Sequence, residues 1–591
     1  MSRVEGDASI MAEKQAINWG MGALIGTLLT APLLALFYFG HSVFGLSYVP
    51  AELFKWTIDS AIGEVIVTPA KEIMVDILLA LDLGRVDVVA KDAENLMALL
   101  GGWVTGIVVG ALVFAIMRSS RMAQQHGVFR DAMPGMGFGA LLGVVAVLMA
   151  VENANPNVTA SPSFNALWVF AAFTVWGALL SHCYHRLSAA SEAALATTAV
   201  ADREKTAASI TTLDRRQFLI RLGGATATLT LAGGVLGRLA ESTGEATQVF
   251  ISDSLASTLP PEVIAQLSPV RYTEGTLTSL VAAPGTRPEY TPLADHYRID
   301  ISVGGAPNID GETYRLPITG LVEEPLELSL AQLREEFAAQ EQIVTLACIS
   351  NRVGGSLIST TRWTGARLSA VLERAKPLAG AGYLRIDAAD NFFEWVSLEQ
   401  IRADPRIMLC YDWDGQALLP KHGFPLRIYL PDIYGMKQPK WITRFELVEE
   451  WGEGYWVRRG WDEVARMRAT AVIDTVATDA VYRGENGAAF VPIGGIAHVG
   501  ARGVSRVQVQ VDGGEWQDAQ IRTPLADTTW VIWRYDWPFA EGAHTFTVRC
   551  FEYDGTPQIA ERQGSRPSGA TGLHAEDATL RSHHLPAAEE A

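Results

Sequence analysis

The chain has 591 residues, of which 49% are hydrophobic, and it carries a formal net charge of -18 at pH 7. Its length exceeds what one hydrophobic core supports, so we expect about three or more structural units. The acidity argues against nucleic-acid binding, which needs a basic face. The four cysteines (Cys183, Cys348, Cys410 and Cys550) have no C-x-x-C spacing, which argues against iron–sulfur clusters, structural zinc, covalently attached haem and a disulfide framework.

Four apolar windows are each about long enough to cross a ~30 Å hydrocarbon core, and buried helices of a soluble protein are the weaker alternative. The windows are Ile17–Phe39, Leu96–Met117, Ala132–Val151 and Phe164–Leu180. Arginines fill the loop after the second window and the segment after the fourth, whereas the opposite loops are acidic or neutral. By the positive-inside rule the arginine-rich loops and the N-terminus are cytoplasmic. We therefore predict a four-helix membrane domain, set in the lipid bilayer, over residues 1–205.

A fifth apolar stretch, "DRRQFLIRLGGATATLTLAGGVLG", begins at Asp214 with the pair Arg215–Arg216. It looks like a twin-arginine export signal placed internally, and the alternative is an ordinary fifth helix with a basic flank. Both interpretations take the chain outward, so everything after this stretch is predicted to lie outside the cytoplasmic membrane. We assign residues 206–240 to this segment and residues 241–292, rich in Ser, Thr and Pro, to a linker.

His41, His182 and His185 lie near the ends of the apolar windows. Histidines on different helices can hold a b-type haem, but no helical repeat aims two of these at one plane. Side chains at the membrane interface are the interpretation we favour.

The remaining sequence falls into three regions with different secondary-structure patterns. Over residues 293–455 the helical patterns "SLAQLREEFAAQ" and "GARLSAVLERAK" alternate with the strand-like runs "IVTLAC", "YLRIDA" and "PLRIYL", which predicts a mixed α+β domain. Residues 456–564 contain short alternating strands with glycine turns, typical of an antiparallel β-sandwich. Cys410 and Cys550 are interpreted as buried packing residues. Residues 565–591 show no pattern, and we predict a disordered tail.

Cys348 ends the strand-like run and is followed by the polar turn "SNRVGG". A buried packing cysteine is the simplest interpretation. A thiol at a strand end can also face a cavity, where Arg352 would favour the thiolate, a ligand for a soft metal or a nucleophile. A nucleophile needs a base, and no local Cys-His signature is present.

The stretch "PKHGFPLRIYLPDIYGMKQPKWI" runs from residue 420 to 442 and combines fixed positive charge with glycine. Arg427 and Lys440 supply the charge, and Gly435 lets backbone N–H groups approach an anion. This pattern suits a phosphate. The alternative, a solvated basic loop, is disfavoured by the Pro, Trp and Tyr content.

Together with "RLPITGLVEEPLELSLAQL", "TLACISN", "WTGARLSAVLERA" and "GYWVRRGW", this stretch resembles the molybdopterin-binding domain of the sulfite oxidase family. The segment from Met467 to about Pro557 resembles that family's immunoglobulin-like dimerisation domain. The resemblance covers roughly residues 290–560 and not the membrane part. Together with the apolar windows, the resemblance predicts a multidomain fold: an N-terminal α-helical transmembrane bundle, an α+β molybdopterin domain and a C-terminal immunoglobulin-like β-sandwich.

The resemblance implies a molybdenum–molybdopterin cofactor whose metal has Cys348 as its one protein thiolate. It also implies roles for further residues, by their positions in the family's motifs: Tyr297, Arg298, His422 and Arg427 contact the pterin, and Gln438 to Lys440 hold its phosphate. Asn351 and Arg352 are the catalytic candidates. The implied chemistry is oxygen-atom transfer in which molybdenum cycles between oxidation states two electrons apart.

Three departures bear on the substrate. The second of two successive arginines in the cysteine loop of sulfite oxidases is here Val353, their pocket tyrosine falls at Phe392, and no haem domain is present. We therefore expect a bacterial, membrane-anchored oxidoreductase that acts on a small oxidised or reduced sulfur compound or a similar substrate. The alternatives are a sulfite dehydrogenase and a non-catalytic anchored binding protein. Electrons would pass to a cytochrome or a quinone-linked membrane protein, and a homodimer through the C-terminal domain is possible by analogy.

Overall fold

The computed structural model describes most of the chain apart from its two ends and several connecting segments. The described residues are 19–59, 70, 73–74, 77, 86–119, 128–153, 158, 160–200, 215–245, 280–302 and 305–586. The chain separates into two compact units, a helical unit with the long apolar helices and a β-rich unit with the sheets.

The helical unit follows the predicted apolar windows. Its helices are α1 (Trp19–Phe44), α2 (Val49–Asp59), α3 (Val86–Ser119), α4 (Val128–Asn153), α5 (Pro162–Val200) and α6 (Arg215–Glu245). Within the described residues, five of these helices, all but α2, are long and apolar enough to cross a membrane. The four windows and the fifth stretch are thus confirmed as helices of membrane-spanning length and composition, whereas the twin-arginine signal stays a prediction.

Glycines let two pairs of these helices pack at backbone distance. A Cβ added at Gly22 of α1 would lie 2.5 Å from Gly110 O of α3, and one added at Gly26 would lie 2.5 Å from Gly106 O. In the second pair, a Cβ at Gly135 of α4 would lie 1.9 Å from a carbonyl oxygen of α5. Small residues at helix interfaces are typical of membrane helices, which associate through close packing.

The histidines near the window ends make local contacts. His41 Nδ1 lies 2.9 Å from Leu46 O, and His185 Nδ1 lies 3.8 Å from Asp131 Oδ1. Arg186 Nε lies 3.5 Å from His182 Nε2, one helical turn earlier.

The first part of the β-rich unit contains two sheets. Its strands are β1 (Arg315–Gly320), β2 (Leu326–Ser329), β3 (Ala339–Ala347), β4 (Ile358–Arg367), β5 (Tyr383–Ala388), β6 (Phe393–Ser397), β7 (Met408–Trp413), β8 (Gln416–Ala417), β9 (Arg427–Tyr429) and β10 (Ile442–Val448). One sheet has the order β2-β1-β10-β5-β6, with β1 and β10 parallel. The other has the order β3-β4-β7-β8, and β9 also pairs with β7. This arrangement confirms the predicted mixture of strands and short helices.

Short helices follow several of these strands: α7 (Leu330–Glu335), α8 (Leu368–Glu373) and α9 (Leu398–Ala403). Ser329 begins α7 with a capping box, in which its hydroxyl accepts from Gln332 N at 3.1 Å and its own N–H donates to the Gln332 side chain at 3.0 Å. Leu330 and Leu333 turn the apolar face of α7 into the core. The pattern "SLAQLREEFAAQ" is thus helical as predicted, but it ends early because its last two residues begin β3.

The second part of the β-rich unit contains two antiparallel sheets over one core. Its strands are β11 (Thr470–Val476), β12 (Tyr482–Arg483), β13 (Ala489–His498), β14 (Val504–Val511), β15 (Gln517–Asp518), β16 (Gln520–Ile521), β17 (Val531–Pro538), β18 (Gly542–Glu552) and β19 (His574–Leu580). The sheet orders are β11-β13-β17-β16, with β12 on β13, and β15-β14-β18-β19. Ile473 and Ile493 from one sheet pack with Val507, Phe546 and Cys550 from the other. A sandwich is therefore present, and its immunoglobulin-like and dimerising character stay predictions.

The predicted disordered tail is wrong for residues 565–586. This stretch continues into β19, which pairs antiparallel with β18 from Gly542↔Leu580 to Val548↔His574. Leu580 is buried, whereas most other residues of the strand are exposed. An edge strand with so few inward apolar residues has no alternation for a sequence pattern to reveal. Residues 587–591 lie outside the described residues.

The predicted linker, residues 241–292, is also wrong at its two ends. Its first residues complete α6, and residues 280–292 are hydrogen-bonded to the β-rich unit. Arg522 donates to Leu280 O at 2.7 Å, and Thr291 N donates to Thr360 O at 2.8 Å. These bonds use backbone groups and single side chains, which leave no periodicity in the sequence. Residues 246–279 lie outside the described residues.

Candidate active site

Cys348 lies immediately after β3, at the junction of two packed regions. Side chains alternate across a strand. Leu346 and Cys348 pack with Tyr297 and Leu357, whereas Ala347 lies in the main core on the other side. The thiol therefore faces Tyr297, and this direction decides which groups can share a ligand with it.

The turn after the cysteine is closed by its own side chains. Asn351 N donates to Cys348 O at 3.0 Å, and Asn351 Oδ1 accepts from Leu357 N at 2.9 Å. Gly354 has a φ of +84°, which a residue with a Cβ rarely adopts. Asn351 thus holds the turn in shape, and Arg352 is exposed on it.

The thiol of Cys348 is 8% exposed and has Ser350 Oγ at 3.0 Å. Burial raises its pKa, and the hydrogen bond to Ser350 opposes this shift only in part. The prediction that Arg352 favours the thiolate is wrong for the protein without metal, because burial dominates the pKa of Cys348. A bound metal cation would reverse this balance, because a coordinating thiol is deprotonated.

Tyr297 connects the thiol to the basic stretch. It is buried, and burial raises its pKa well above the usual range; the charge of Cys348 adds to this shift, and the charge of Arg427 opposes it. Its hydroxyl would lie 3.0 Å from a Cβ placed on Gly435, so that glycine permits the close approach of the loop. Tyr297, Cys348 and Arg427 are therefore brought together, as the predicted site requires.

Arg427 is a buried cation at the first residue of β9. Its Nη1 donates to His422 O at 3.0 Å, and its guanidinium lies 4.7 Å from the centre of the Trp363 ring. Burial lowers its pKa. Among the residues that the structure describes, no carboxylate lies within ion-pairing distance of it. A buried charge without a counter-ion is costly, so this position favours binding of an anion.

His422 lies between the aromatic rings and the cations. Its ring centre is 4.6 Å from that of Trp413 and 5.3 Å from that of His296. Burial lowers its pKa well below the usual range, and the neighbouring His296, Lys440, Lys421 and Arg427 add to the effect. His422 is thus neutral and can line a ligand without adding charge.

Arg298 and Lys440 share one carboxylate. Arg298 Nε lies 2.8 Å and Lys440 Nζ 3.0 Å from Asp300 Oδ2, and the Asp300 side chain is 1% exposed. Burial lowers the pKa of Lys440 to about 8, although Asp300 opposes the shift. Two cations on one carboxylate leave an excess positive charge. A Cβ at Gly423 would lie 3.1 Å from Lys440 Cβ and 3.2 Å from Arg427 Cβ, so this glycine turn sets the second charge beside the first.

Gln438 and Lys437 hold the loop rather than point into the site. Gln438 Nε2 donates to Leu430 O at 3.2 Å and to Ile433 O at 2.7 Å. Lys437 Nζ lies 2.6 Å from Glu394 Oε1, and both side chains are buried. The donors of the Gln438 side chain are thus in use, and the structure gives no support for its contact with a phosphate.

Comparisons with known proteins identify the domain that carries most of these residues, although Tyr297, Arg298 and Asp300 lie just before it. The family described as "Oxidoreductase molybdopterin binding domain" matches residues 303–456. The mitochondrial sulfite oxidase of Mus musculus is 34% identical over 277 residues, which cover 39% of this chain and 50% of that protein. That of Homo sapiens is 31% identical over 291 residues, which cover 42% and 53%. Residues 303–456 thus match a molybdopterin-binding oxidoreductase domain, and the chain is similar to sulfite oxidases over about half of their length.

Other relatives and structures have lower sequence identity to this chain. The nitrate reductase [NAD(P)H] of Hordeum vulgare is 29% identical over 327 residues, which cover 44% of this chain and 36% of that protein. The match to the crystal structure of the sulfane dehydrogenase SoxCD from Paracoccus pantotrophus covers 56% of this chain and 95% of that chain, with 20% identity and a TM-score of 0.43. The chain spans about half the length of the sulfite oxidases it matches.

The residues present fit the cofactor of this family. The buried thiol of Cys348 supplies the soft ligand that the metal would need. Arg427, without a carboxylate partner, and the excess charge of Lys440 beside it match an anionic pterin phosphate. An anion bound beside Arg427 and Lys440 would compensate the charge that Asp300 leaves over.

Two residues that organise the site were missed by sequence reasoning. Asp300 couples Arg298 to Lys440, and Glu394 fixes the loop through Lys437. An acidic residue at an inward position of a strand, as Glu394 is in β6, was the available signal.

Phe392 and Val353, the two positions at which the sequence departs from the sulfite oxidase pattern, both lie among the described residues. Phe392 is 8% exposed, and its ring centre lies 5.5 Å from that of Tyr455. Val353 lines a cleft beside the cysteine turn. Neither side chain can donate a hydrogen bond to an anion.

Proposed function

We propose that this protein is a molybdenum oxidoreductase that transfers an oxygen atom to or from a small sulfur compound or a similar substrate. The observation that carries the proposal is the Cys348 thiol, packed against Tyr297, with the buried cation Arg427 nearby, which has no carboxylate partner among the described residues. This set suits a metal held by an anionic organic cofactor better than a nucleophile paired with a base.

We assign the cofactor contacts residue by residue. Cys348 would ligate the metal, and Arg427 with Lys440 would hold the pterin phosphate. Tyr297, Arg298 and His422 would line the pterin. Gln438 would act only by shaping the loop, because its amide donors bind backbone carbonyls.

When bound, the molybdenum supplies two-electron oxygen-atom transfer. The chain's own residues would bind and orient the cofactor and the substrate. The raised pKa of Tyr297 keeps its phenol protonated, so it can donate a hydrogen bond. The lowered pKa of His422 keeps its imidazole neutral. Asn351 holds the turn that presents Cys348, and Arg352, which is exposed on that turn, would meet an anionic substrate.

Sulfite is the second candidate substrate, because the relatives matched here include sulfite oxidases. Val353 and Phe392 argue against it, since a dianion that enters without donors is desolvated without compensation. Sulfite-dependent reduction of a dye by the purified protein would distinguish sulfite from the other candidate substrates. Molybdenum and pterin analysis of the same sample tests the enzyme proposal itself: a correctly folded protein that contains neither would support a non-catalytic binding protein.

The helical unit supports a membrane anchor. The arginine-rich loops would lie in the cytoplasm and the β-rich unit outside it, with export directed by Arg215 and Arg216. An external cytochrome or a quinone-linked membrane protein would exchange the electrons, and a homodimer would form through the sandwich. A reporter that fluoresces only in the cytoplasm, fused after residue 591, should be dark; a bright fusion would reverse the orientation.

A further inference from the structure

The strand that leads to Cys348 lies at the edge of its sheet. β3 ends the order β3-β4-β7-β8, so β4 is its neighbour on one side of that sheet. On the other side the backbone N–H and C=O groups of an edge strand have no strand to pair with. What covers this edge therefore decides how firmly the thiol at the end of β3 is held.

A turn of the sandwich, between β16 and β17, covers the edge with three hydrogen bonds. Thr345 N of β3 donates to Thr528 O at 2.8 Å, and the Thr528 hydroxyl donates to Ile343 O at 2.6 Å. Trp530 N donates to the Thr345 hydroxyl at 2.8 Å. All four residues are buried. The sandwich thus takes the place of a further strand beside β3.

The turn that presents Thr528 is closed by its own hydrogen bonds. The backbone N–H of Thr529 donates to Ala526 O at 3.0 Å, and the Thr529 hydroxyl donates to the same oxygen at 2.9 Å. The indole of Trp530 donates to Glu289 O at 2.9 Å, which fixes the other end of the turn. The position of the Thr528 hydroxyl is therefore set by the fold around the turn.

Thr528 also interacts with the strand that carries Arg427. Tyr429 lies two residues after Arg427 in β9, so the two side chains are on the same side of that strand. Burial raises the pKa of Tyr429, and a hydrogen bond with the Thr528 side chain is one of the interactions that oppose this shift. One side chain of the sandwich thus contacts the strands that carry both Cys348 and Arg427.

We propose that Thr528 is a positioning residue for Cys348, so that the sandwich takes part in the metal site through β3. The inference rests on the proposed function, in which the Cys348 thiol is the metal ligand. Cys348 follows Thr345 by three residues, about 10 Å along an extended strand. Release of the edge at Thr345 would therefore shift the thiol relative to Tyr297.

The test compares Thr528→Val, which removes the hydroxyl at nearly constant volume, with Thr528→Ser, which keeps it. In full-length cofactor-free protein, the rate at which iodoacetamide labels Cys348 is followed by peptide mass spectrometry. Thr528→Val should raise this rate at least about fivefold, because the loss of a buried hydrogen bond favours local opening of β3. Thr528→Ser should label at the wild-type rate. In loaded protein, Thr528→Val should change the molybdenum spectrum and Thr528→Ser should not.

The matched control is Thr571→Val. Thr571 is buried in the sandwich, and its hydroxyl donates to Glu561 O at 2.7 Å, so the variant loses the same kind of bond without touching β3. Both readouts should remain those of the wild type. Equal effects of Thr528→Val and Thr571→Val, or wild-type labelling of Cys348 in Thr528→Val, would overturn the proposal.

Two measurements keep the result independent of folding and of the proposed function. Hydrogen exchange of the wild type, resolved to single residues by fragmentation, should show the Thr345 amide as protected as amides inside the sheet; rapid exchange would overturn the proposal even if Thr528→Val does not fold. Wild-type protein without molybdenum would instead count against the proposed function, and the labelling of Cys348 would still decide whether Thr528 holds the thiol in place.

Discussion

Two buried cations on one stretch of the β-rich unit have opposite surroundings. Lys437 has its own carboxylate, Glu394, at 2.6 Å. Arg427 has a backbone carbonyl and the face of Trp363, and no carboxylate pairs with it in the described part of the chain. A cation that is compensated within the protein serves the fold, whereas one that is not requires a ligand. This difference separates scaffold from site more sharply than the residue types do.

The largest expected effect on stability comes from breaking the compensated pair. Glu394→Gln leaves the Lys437 ammonium buried without a counter-ion, so we expect a loss of roughly 3–5 kcal/mol of unfolding free energy. The measurement is thermal or denaturant unfolding. Glu324→Gln is the matched control, because Glu324 pairs with Lys376 at the surface and its loss should hardly change the melting temperature. Equal effects of the two substitutions would contradict the scaffold role of Glu394.

For Arg427 we expect the opposite: its removal should spare the stability of the protein but reduce its cofactor content. Arg427→Met removes a charge that costs stability in the protein without cofactor, so the melting temperature of cofactor-free protein should not fall. The pterin content of purified protein should fall at least about tenfold, because charge-assisted bonds to the phosphate are lost. Arg444→Met, at a partly exposed cation paired with Asp387, is the control that should keep its pterin. A variant of Arg427 that is unstable yet fully loaded would refute the assignment.

The charge of Lys440 is only partly compensated, because this residue shares Asp300 with Arg298. We therefore expect a smaller effect on stability at Lys440 than at Lys437 or Arg427. The pKa of Lys440 falls from 10.5 to about 8 in the folded protein, so between these values the unfolded chain binds more protons and stability rises with pH. Cofactor-free protein should therefore gain stability as pH increases from about 8 to 10.5, and Lys440→Met should flatten this rise. In loaded protein the phosphate would keep Lys440 charged, and the rise should disappear. Melting temperatures across this pH range test both statements.

Local patterns were enough to predict much of the fold. The run "IVTLAC" lies in and just beyond β3, the apolar windows are helices, and Cys410 and Cys550 are buried as expected. These features depend on side-chain periodicity within one segment, which a sequence displays directly.

What the sequence could not show depends on pairings between distant segments. Glu394, on β6, meets Lys437, which lies in a 3-10 turn after β9. Asp300 likewise joins Arg298 to Lys440 only after the chain has folded. The edge strand β19 also escaped prediction, because it owes its conformation to pairing with β18 rather than to its own apolar residues.

The central claim is that Cys348 ligates molybdenum, and Cys348→Ser tests it most directly. The substitution replaces a soft thiol with a harder hydroxyl of similar size, so the account predicts loss of the wild-type molybdenum spectrum and of turnover. Pterin content and melting temperature should change little, because Arg427 and Lys440 hold the phosphate independently. Cys410→Ser is the matched control: this fully buried packing cysteine should lose stability, by about 1–3 kcal/mol if its hydroxyl is unpaired, and keep the spectrum. A Cys348→Ser protein that melts early but retains the wild-type molybdenum spectrum and turnover would contradict the claim.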